Sequence, residues 1–417
     1  MPADRGPRLD NTLPLALDGY AWLPERRRRA GGDVSTRLMG RRAVGISGPE
    51  AVRFFYDEAH VRRHTAIPEP VQGTLFGHGA VHTLDGAAHR HRKSIFLSLL
   101  GPAGVADVVE HATAAWDEAA ASWPHRSRIV LFDEASRVIT RGVCDWAGVH
   151  LYADEVVPTA RDLVSLVDGF ATAGPRHWRA RRARGRLQAR FGRLVQEVRD
   201  GRTAPVGATP SALEVVARHR DLDGSLLSPR VAAVELLNVV RPTVAVCWFV
   251  AYAAHAMHRW PEQRARLRED DPAYLAAFVD EVRRFYPFAP FLGARAVRDL
   301  TWRGARIPAG SLVLLDIYGQ HHDAALWADP YAFRPQRFLD QPVAPDALIP
   351  QGGGSAEAGH RCPGEGLTVG LLAALTSRLA RLDYAVPGQD LTISLRRIPA
   401  RPRSGVVLTD VGVPNIG

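Results

Sequence analysis

The stretch QGGGSAEAGHRCPGEG, residues 351–366, decides how this chain is interpreted. It holds Cys362, one of only three cysteines in 417 residues. Its glycines make the stretch a poor helix or strand, because glycine loses the most backbone entropy when it is ordered. The residues that follow, GEGLTVGLLAALTSRLARL at 364–382, have helical apolar spacing and predict a helix that begins just after the thiol.

Three roles compete for Cys362: an inert thiol, a nucleophile and a metal ligand. An inert thiol is expected on an apolar helix face, as Cys144 and Cys247 are, and a nucleophile would use His360 as a base but lacks an acyl-transfer motif. A zinc ligand would need further Cys or His partners at zinc spacing. A lone thiolate suits haem, which needs a single axial donor, and a helix N-terminus behind the sulfur would stabilise its charge.

Composition narrows the class of protein. The hydrophobic fraction is 46%, the formal net charge is +9, and arginine-rich runs lie at 26–29 and 176–193. No nucleic-acid recognition motif accompanies these runs, so we expect solvated helix positions and no nucleic-acid partner. An odd, small number of cysteines favours a reducing compartment. With no apolar core near the N-terminus and no run of roughly 18 apolar residues, we expect a cytoplasmic chain without a membrane span.

The periodicity predicts a mainly α protein with small peripheral β-sheets. There are no internal repeats or Pro/Ser linkers, so we expect a single domain over residues 1–417. The predicted helices cover residues 101–123, 136–149, 153–170, 229–260 and 273–287. The predicted strand regions cover residues 41–48, 294–319, 391–397 and 404–410.

The long apolar helix at 229–260 contains two costly residues side by side, Arg241 and Pro242. Proline inside a helix costs about 3 kcal/mol, and a cation in an apolar helix needs an anion. The pair predicts either a kink beside an anion-binding site or a structural ion pair at a helix break.

Two further patterns accompany the cysteine loop. Glu281 and Arg284 are three residues apart on one helix face, where an ion pair can form, and Arg337 lies in the aromatic, proline-broken stretch ALWADPYAFRPQRF. With GHRCPGEG, these motifs in this order resemble the cytochrome P-450 superfamily over essentially the whole chain. The resemblance implies the single-domain cytochrome P-450 fold, haem b (iron protoporphyrin IX) with Cys362 as the axial iron ligand, and a structural network of Glu281, Arg284 and Arg337.

The departures from the common pattern are informative. Most members carry an acid or amide followed by threonine where this chain has Arg241 and Pro242, and a phenylalanine where it has Ser355. Both departures resemble the fatty-acid peroxygenase branch, as do the stretches at residues 55–93, 168–179, 233–246 and 286–295. That branch implies Arg241 as the anchor of a fatty-acid carboxylate, Pro242 beside it, and His82 facing the haem and the substrate's β carbon.

The resemblance also assigns the walls of the site. The residues that it places along the substrate channel are all apolar: Leu75, Phe76, Val167, Phe170, Pro242, Phe288, Ala289 and Phe291. Ala289 departs from the glycine of close relatives, and its methyl group would narrow the channel. The residues that it assigns to the haem propionates are Arg63, His89, Lys93 and His360, with Arg92 as a weaker candidate.

The expected function is hydrogen-peroxide-dependent oxidation of long-chain fatty acids at the α and β carbons, with no obligatory redox partner. The carboxylate held by Arg241 would serve as the acid–base group. The resemblance implies hydroxylation, and His82 also permits decarboxylation to a terminal alkene. Two alternatives stay open: a conventional monooxygenase fed by ferredoxin and a reductase, and a haem and fatty-acid binding protein without turnover.

Overall fold

The architecture was obtained from a computed structural model, which describes residues 9–170, 172–202 and 209–412. Residues 1–8, part of the N-terminal segment whose lack of an apolar core was noted above, lie outside these ranges. The helices are α1 (Thr12–Asp18), α2 (Trp22–Ala30), α3 (Pro49–Tyr56), α4 (Glu69–Val71), α5 (Gly86–Leu99), α6 (Pro102–Ser122), α7 (Leu131–Trp146), α8 (Ala153–Asp168), α9 (Pro175–Arg199), α10 (Ala212–Arg218), α11 (Pro229–Val244), α12 (Val246–Arg259), α13 (Pro261–Leu267), α14 (Pro272–Phe285), α15 (Ile317–His321), α16 (Arg337–Asp340) and α17 (Glu365–Arg381).

The strands form one mixed sheet and two small ribbons. They are β1 (Val34–Leu38), β2 (Arg41–Ile46), β3 (Val61–Arg62), β4 (Ile129–Val130), β5 (Phe291–Ala296), β6 (Leu300–Trp302), β7 (Ala305–Ile307), β8 (Leu312–Asp316) and β9 (Val407–Leu408). The main sheet has the order β1-β2-β8-β5-β3, with β2 and β8 parallel and the other pairs antiparallel. The ribbons pair β4 with β9 and β6 with β7.

Strand β8 shows why this sheet is buried on both faces. Successive side chains of a strand point to opposite faces. Leu312 and Leu314 accordingly pack in a cluster with Trp22, whereas Val313 and Leu315 pack in a second cluster with Phe55. The continuous apolar run of this strand therefore places the sheet between two small cores.

The main core is helical and centres on α7, α11, α12 and α17, whose apolar faces meet in one cluster. The prediction of a mainly α chain with small sheets is confirmed. The helix predicted at 229–260 is interrupted at Ala245, three residues after Pro242, and becomes α11 and α12. Proline removes a backbone hydrogen bond and crowds the preceding turn, which weakens the helix on the N-terminal side of this interruption.

Two predictions about local structure are wrong. Residues 391–397 contribute one isolated bridge, Ile393 to Pro402, rather than a strand. The run at 176–193 is helical, within α9, but it is not wholly solvated, because Arg184 is only 2% exposed. The carbonyl oxygens of Thr74, Leu75 and Phe76 replace the water that its guanidinium would otherwise bind.

One helix of the described residues is long and apolar enough to cross a membrane. It runs over Pro229–Arg259, across the interruption at Ala245, and 94% of its most apolar window is buried inside the protein. A bent pair formed by Gly86–Leu99 and Pro102–His125 would count as a second span by length and composition. The burial of Pro229–Arg259 is that of a central core helix.

Candidate active site

The cysteine loop is held against the molecule by backbone contacts. The Cys362 N–H donates to the carbonyl oxygen of Gln351 (3.1 Å), and α17 begins three residues after the thiol, at Glu365. Gly352 has φ +91°, and a Cβ there would lie 2.3 Å from Oη of Tyr56. Only glycine fits this turn, because it combines a left-handed backbone with a close approach of another side chain.

The environment of the Cys362 sulfur sets its charge. Burial raises the pKa of the thiol, whereas the backbone N–H of Gly364 and the cations Lys93 and Arg241 act in the opposite direction. A half-buried thiol with this balance becomes a thiolate when a metal cation binds it.

Arg241 lies on α11, near enough to Cys362 for each group to affect the pKa of the other. The side chain is buried, and its Nη2 donates to Oδ1 of Asn238 (3.0 Å). Its guanidinium carbon lies 5.8 Å from the ring centre of Phe76, and its Nε has no hydrogen-bond partner in the protein. Burial and the nearby Arg184 cation lower the pKa of Arg241 to about 9, so the group stays charged at neutral pH.

His82 also lies beside Phe76, and we call Phe76, His82 and Arg241 the distal site. It lies on a single helical turn, Val81–Thr83, with its ring centre 4.3 Å from that of Phe76, and its buried Nδ1 has no hydrogen-bond partner in the protein. Burial, reinforced by the Arg241 cation, holds the pKa of His82 well below its usual value. The imidazole is therefore neutral at physiological pH.

The predicted channel residues belong to different hydrophobic clusters of the protein. Leu75 and Val167 are buried in the main core, and Phe76, Phe170 and Phe288 are half-buried against it. Ala289 packs on the sheet core, and Phe291 packs on the N-terminal cluster that contains Trp22. Of this set, direct ring or cation contacts with His82 and Arg241 are made by Phe76.

The predicted propionate residues form a second cluster near the cysteine loop. The rings of His89 and His360 stack with their centres 3.8 Å apart, and Nε2 of His360 lies 3.5 Å from Oδ1 of Asp85. Arg63 Nη1 donates to the Gly293 carbonyl (3.0 Å). Lys93 Nζ donates to the carbonyl oxygens of Gly359 and Arg361. Lys93 therefore also ties α5 to the cysteine loop.

Arg92 does not join this cluster. Its Nη1 donates to Glu235 (3.0 Å), and its Nη2 pairs with Asp221. The weaker propionate assignment is corrected on this ground, because two carboxylates already accept from the guanidinium.

The structural network lies where the motifs place it. Arg284 Nε lies 2.7 Å from Glu281 Oε2, and Arg337 Nε lies 3.2 Å from the same oxygen. Arg284 also donates to the carbonyl oxygens of His321 (2.7 Å) and Pro330 (2.9 Å). The predicted ion pair of Glu281 and Arg284 is confirmed, and it is fully buried.

Four residues of the site were not identified from the sequence. Arg184 donates to the carbonyls of Thr74, Leu75 and Phe76, and Asp85 accepts from the N–H groups of Arg63 and His64. Glu235 and Asn238 lie on α11 and connect Arg92 with Arg241. The ionisable residue Glu235 inside an apolar helix was the available signal, because such a residue needs a buried partner.

These residues fit a haem. The Cys362 thiol lies directly before the N-terminus of α17, the predicted channel residues Leu75 and Phe76 pack in or against the apolar main core, and the buried Nδ1 atoms of His82 and His89 lack protein partners. Cys362 would ligate the iron, and Arg63, His89 and His360 offer donors for the propionates.

Known proteins agree with this assignment. The family model described as Cytochrome P450 matches residues 270–407. Cytochrome P450SP alpha (CYP152B1) in complex with (R)-ibuprophen has a TM-score of 0.93 and 41% identity, covering 97% of this chain and 99% of that chain. Cytochrome P450EX alpha (CYP152N1) with myristic acid has a TM-score of 0.92 and 36% identity, covering 97% of both chains.

A third solved structure is a variant of cytochrome P450 OleT in complex with arachidonic acid. Its TM-score is 0.93 and its identity 33%, and 98% of both chains is covered. At this level of identity and coverage, the likeness extends beyond the fold to common membership of a family. The chain belongs to the cytochrome P450 superfamily, in the CYP152 branch.

Proposed function

We propose that this protein uses hydrogen peroxide to oxidise long-chain free fatty acids at the α and β carbons. The observation that carries the proposal is Arg241, a buried cation whose Nε has no protein partner and which lies beside Phe76 and His82. The solved structures with myristic and arachidonic acid support a carboxylate-bearing chain as the ligand.

Arg241 would bind the substrate carboxylate through the guanidinium edge that contains Nε. Charge-assisted hydrogen bonds are strong in a site from which water is excluded, and an arginine fork matches a carboxylate in two contacts. When the carboxylate is fixed by Arg241, the α and β carbons are the part of the chain whose position in the site is best defined. The apolar walls would hold the remaining methylene groups.

Haem, when bound to Cys362, supplies the oxidising chemistry. The protein residues position the acid and manage protons around it. With Arg241 and Pro242 in place of an acid–threonine pair, the substrate carboxylate is the acid–base group that can move a proton between the two oxygens of peroxide. The imidazole of His82, which is neutral, would contact the substrate near its β carbon without adding a charge to the site.

Two outcomes balance with peroxide as the only co-reactant. Hydroxylation consumes one C–H bond and one peroxide and yields a hydroxy acid and water. Oxidative decarboxylation of the same acid yields a terminal alkene, carbon dioxide and two waters. In both, the substrate loses two electrons and the O–O bond of peroxide receives them.

Product analysis tests the proposal. The haem-loaded protein is given tetradecanoic acid and hydrogen peroxide without a redox partner, and products are separated by gas chromatography and identified by mass spectrometry. Hydroxy acids or the one-carbon-shorter alkene are expected. Turnover only after addition of ferredoxin and reductase would identify a conventional monooxygenase, and acid binding without product under either condition would identify a binding protein.

The anchoring role is tested with Arg241→Leu. We expect haem to be retained and kcat/KM for tetradecanoic acid to fall by about 100-fold or more, because a buried charge-assisted pair is lost. Arg230→Leu, at an exposed position of the same helix, is the matched control and should change little. Equal activity of the two variants would contradict the role of Arg241.

A further inference from the structure

A chain of buried polar contacts runs along α11 to Arg241. Glu235 is 0% exposed, and its Oε1 accepts from Arg92 Nη1 (3.0 Å) and from the Val81 N–H (2.8 Å). Its Oε2 accepts from Asn238 Nδ2 (3.3 Å). Asn238 Oδ1 in turn accepts from Arg241 Nη2 (3.0 Å). Every link is a donor–acceptor match, and none of its members is on the surface.

The carboxylate determines which way the Asn238 amide points. An asparagine side chain has one acceptor and one donor end, and its surroundings decide its orientation. Its Nδ2 faces two acceptors, Glu235 Oε2 and the carbonyl oxygen of Phe76 (3.0 Å). That arrangement leaves Oδ1 as the only end of the amide that can accept from Arg241.

Charge gives Glu235 a second reason to be present. Arg241 and Arg184 are like charges close enough to lower the pKa of Arg241. Without a fixed acceptor, a flexible arginine side chain would be driven away from Arg184 and would lose a defined rotamer. Arg92 pairs with Glu235 (3.0 Å), so Glu235 can order Asn238 while the Arg241 charge stays available to a ligand.

Glu235 also contacts the segment that carries His82. The Val81 N–H that it accepts belongs to the residue directly before His82. The same carboxylate thus connects the two polar groups of the distal site, Arg241 through Asn238 and His82 through its backbone.

We propose that Glu235 is a positioning residue for carboxylate recognition, which acts through the Asn238 amide to hold Arg241 in the orientation that binds the substrate acid. This inference rests on the proposed function, because it gives Arg241 a carboxylate to bind. Glu235 itself does not touch the substrate.

Glu235→Gln tests the chain because it keeps shape and removes one acceptor. Every donor around Glu235 needs an acceptor, so the glutamine amide must turn its NH₂ group toward a donor. Turning it toward Asn238 forces that amide to flip, and Asn238 would then present NH₂ to Arg241. We expect the dissociation constant of tetradecanoic acid, measured by isothermal titration calorimetry on haem-loaded protein, to rise about tenfold or more.

Tetradecanol is the matched ligand, because it has the same chain and lacks the carboxylate. Its affinity should be equal in the wild type and in Glu235→Gln, and KM for the acid should rise more than kcat falls. Glu118→Gln, in an exposed ion pair with Arg141, is the matched protein control. Equal losses for the acid and the alcohol would show general damage to the site and would overturn the proposal.

A double-mutant cycle shows whether the effect passes through Asn238. If it does, Glu235→Gln combined with Asn238→Ala should bind the acid no more weakly than the weaker single variant, because both break the same chain. Additive losses would overturn the proposal. Should Glu235→Gln fail to load haem, Glu235→Gln with Arg92→Gln removes both charges of the buried pair, and the same selective loss of acid affinity is expected.

Different results would contradict the proposed function and the positioning role of Glu235. Wild-type protein that neither binds nor oxidises tetradecanoic acid would contradict the proposed function. Wild-type protein that binds the acid, with an unchanged affinity in Glu235→Gln, would contradict the positioning role alone.

Discussion

Two buried arginines, Arg284 and Arg241, show how partners decide the role of a charge. Arg284 is 0% exposed, and its guanidinium is surrounded by Glu281 and by backbone carbonyls, so little remains for a ligand. Arg241 is also buried, but one protein acceptor, Asn238, contacts it and its Nε has none. A buried donor left without a partner costs free energy, which an incoming anion recovers.

Removing one partner of the buried network should be costly for stability. Glu281→Gln leaves Arg284 and Arg337 without their counter-charge, and we expect a loss of about 3–5 kcal/mol. Glu50→Gln breaks the exposed pair with Arg303 and should cost less than about 1 kcal/mol. Guanidinium denaturation followed by circular dichroism compares the two variants, and equal losses would contradict this interpretation.

His82 should influence product type rather than haem binding. Its ring contacts Phe76 beside Arg241 and is neutral at physiological pH. We therefore expect His82→Gln to retain haem and to change the ratio of hydroxy acid to alkene measured by mass spectrometry. An identical product ratio would remove His82 from the reaction.

At the scale of elements, α9 supports the distal site from outside. Its Arg184 donates to the carbonyls of Leu75 (3.0 Å) and Phe76 (2.9 Å), which end the turn Gln72–Phe76. Gly77, next in the chain, has φ +89°, and a Cβ there would lie 2.2 Å from Arg184 Nη2. The turn, its glycine and the arginine of another helix therefore form one unit.

Loss of this contact should loosen the turn without unfolding the protein. We expect Arg184→Met to raise hydrogen exchange at the amides of residues 72–77 and to weaken binding of tetradecanoic acid, because Phe76 loses its backbone support. Arg182→Met, at an exposed position of α9, should change neither. Unchanged exchange in Arg184→Met would show that the turn is held by other contacts.

At the scale of the whole molecule, the thiols are divided between core and site. Cys144 and Cys247 are completely buried in the main core, whereas Cys362 is half-buried and lies close enough to the Arg241 cation for its pKa to be lowered by it. Burial raises the pKa of Cys144 to about 12 and also raises the pKa of Cys247. Because the thiolate is the reactive form, both core thiols stay protonated and inert at neutral pH.

Thiol titration measures this division. The native haem-loaded protein at pH 8 should show no rapidly reacting thiol with Ellman's reagent, whereas protein unfolded in guanidinium should show three per chain. A fast-reacting thiol that disappears in Cys144→Ala would contradict the burial of the main core.

Much of the fold could be predicted because its signals are local. Helical spacing marked α6, α8, α14 and α17 to within a few residues, and the Glu281–Arg284 pair follows from a separation of three residues on one helix. The strand predicted at 391–397 is absent because alternation of apolar residues cannot show whether a neighbouring strand is available for pairing. The stretch forms one isolated bridge instead.

The sequence by itself determined the class of the protein and the identity of its chemical groups: a lone cysteine before a helix, Arg241 beside Pro242, and the Glu281–Arg284 ion pair. Only the tertiary structure decided which groups meet. Arg92, Val81 and Asn238 come from separate positions in the chain, yet they converge on Glu235. A buried charge is stabilised by whichever polar groups the packing of the chain places next to it. The spacing of residues in the sequence does not show which residues those are.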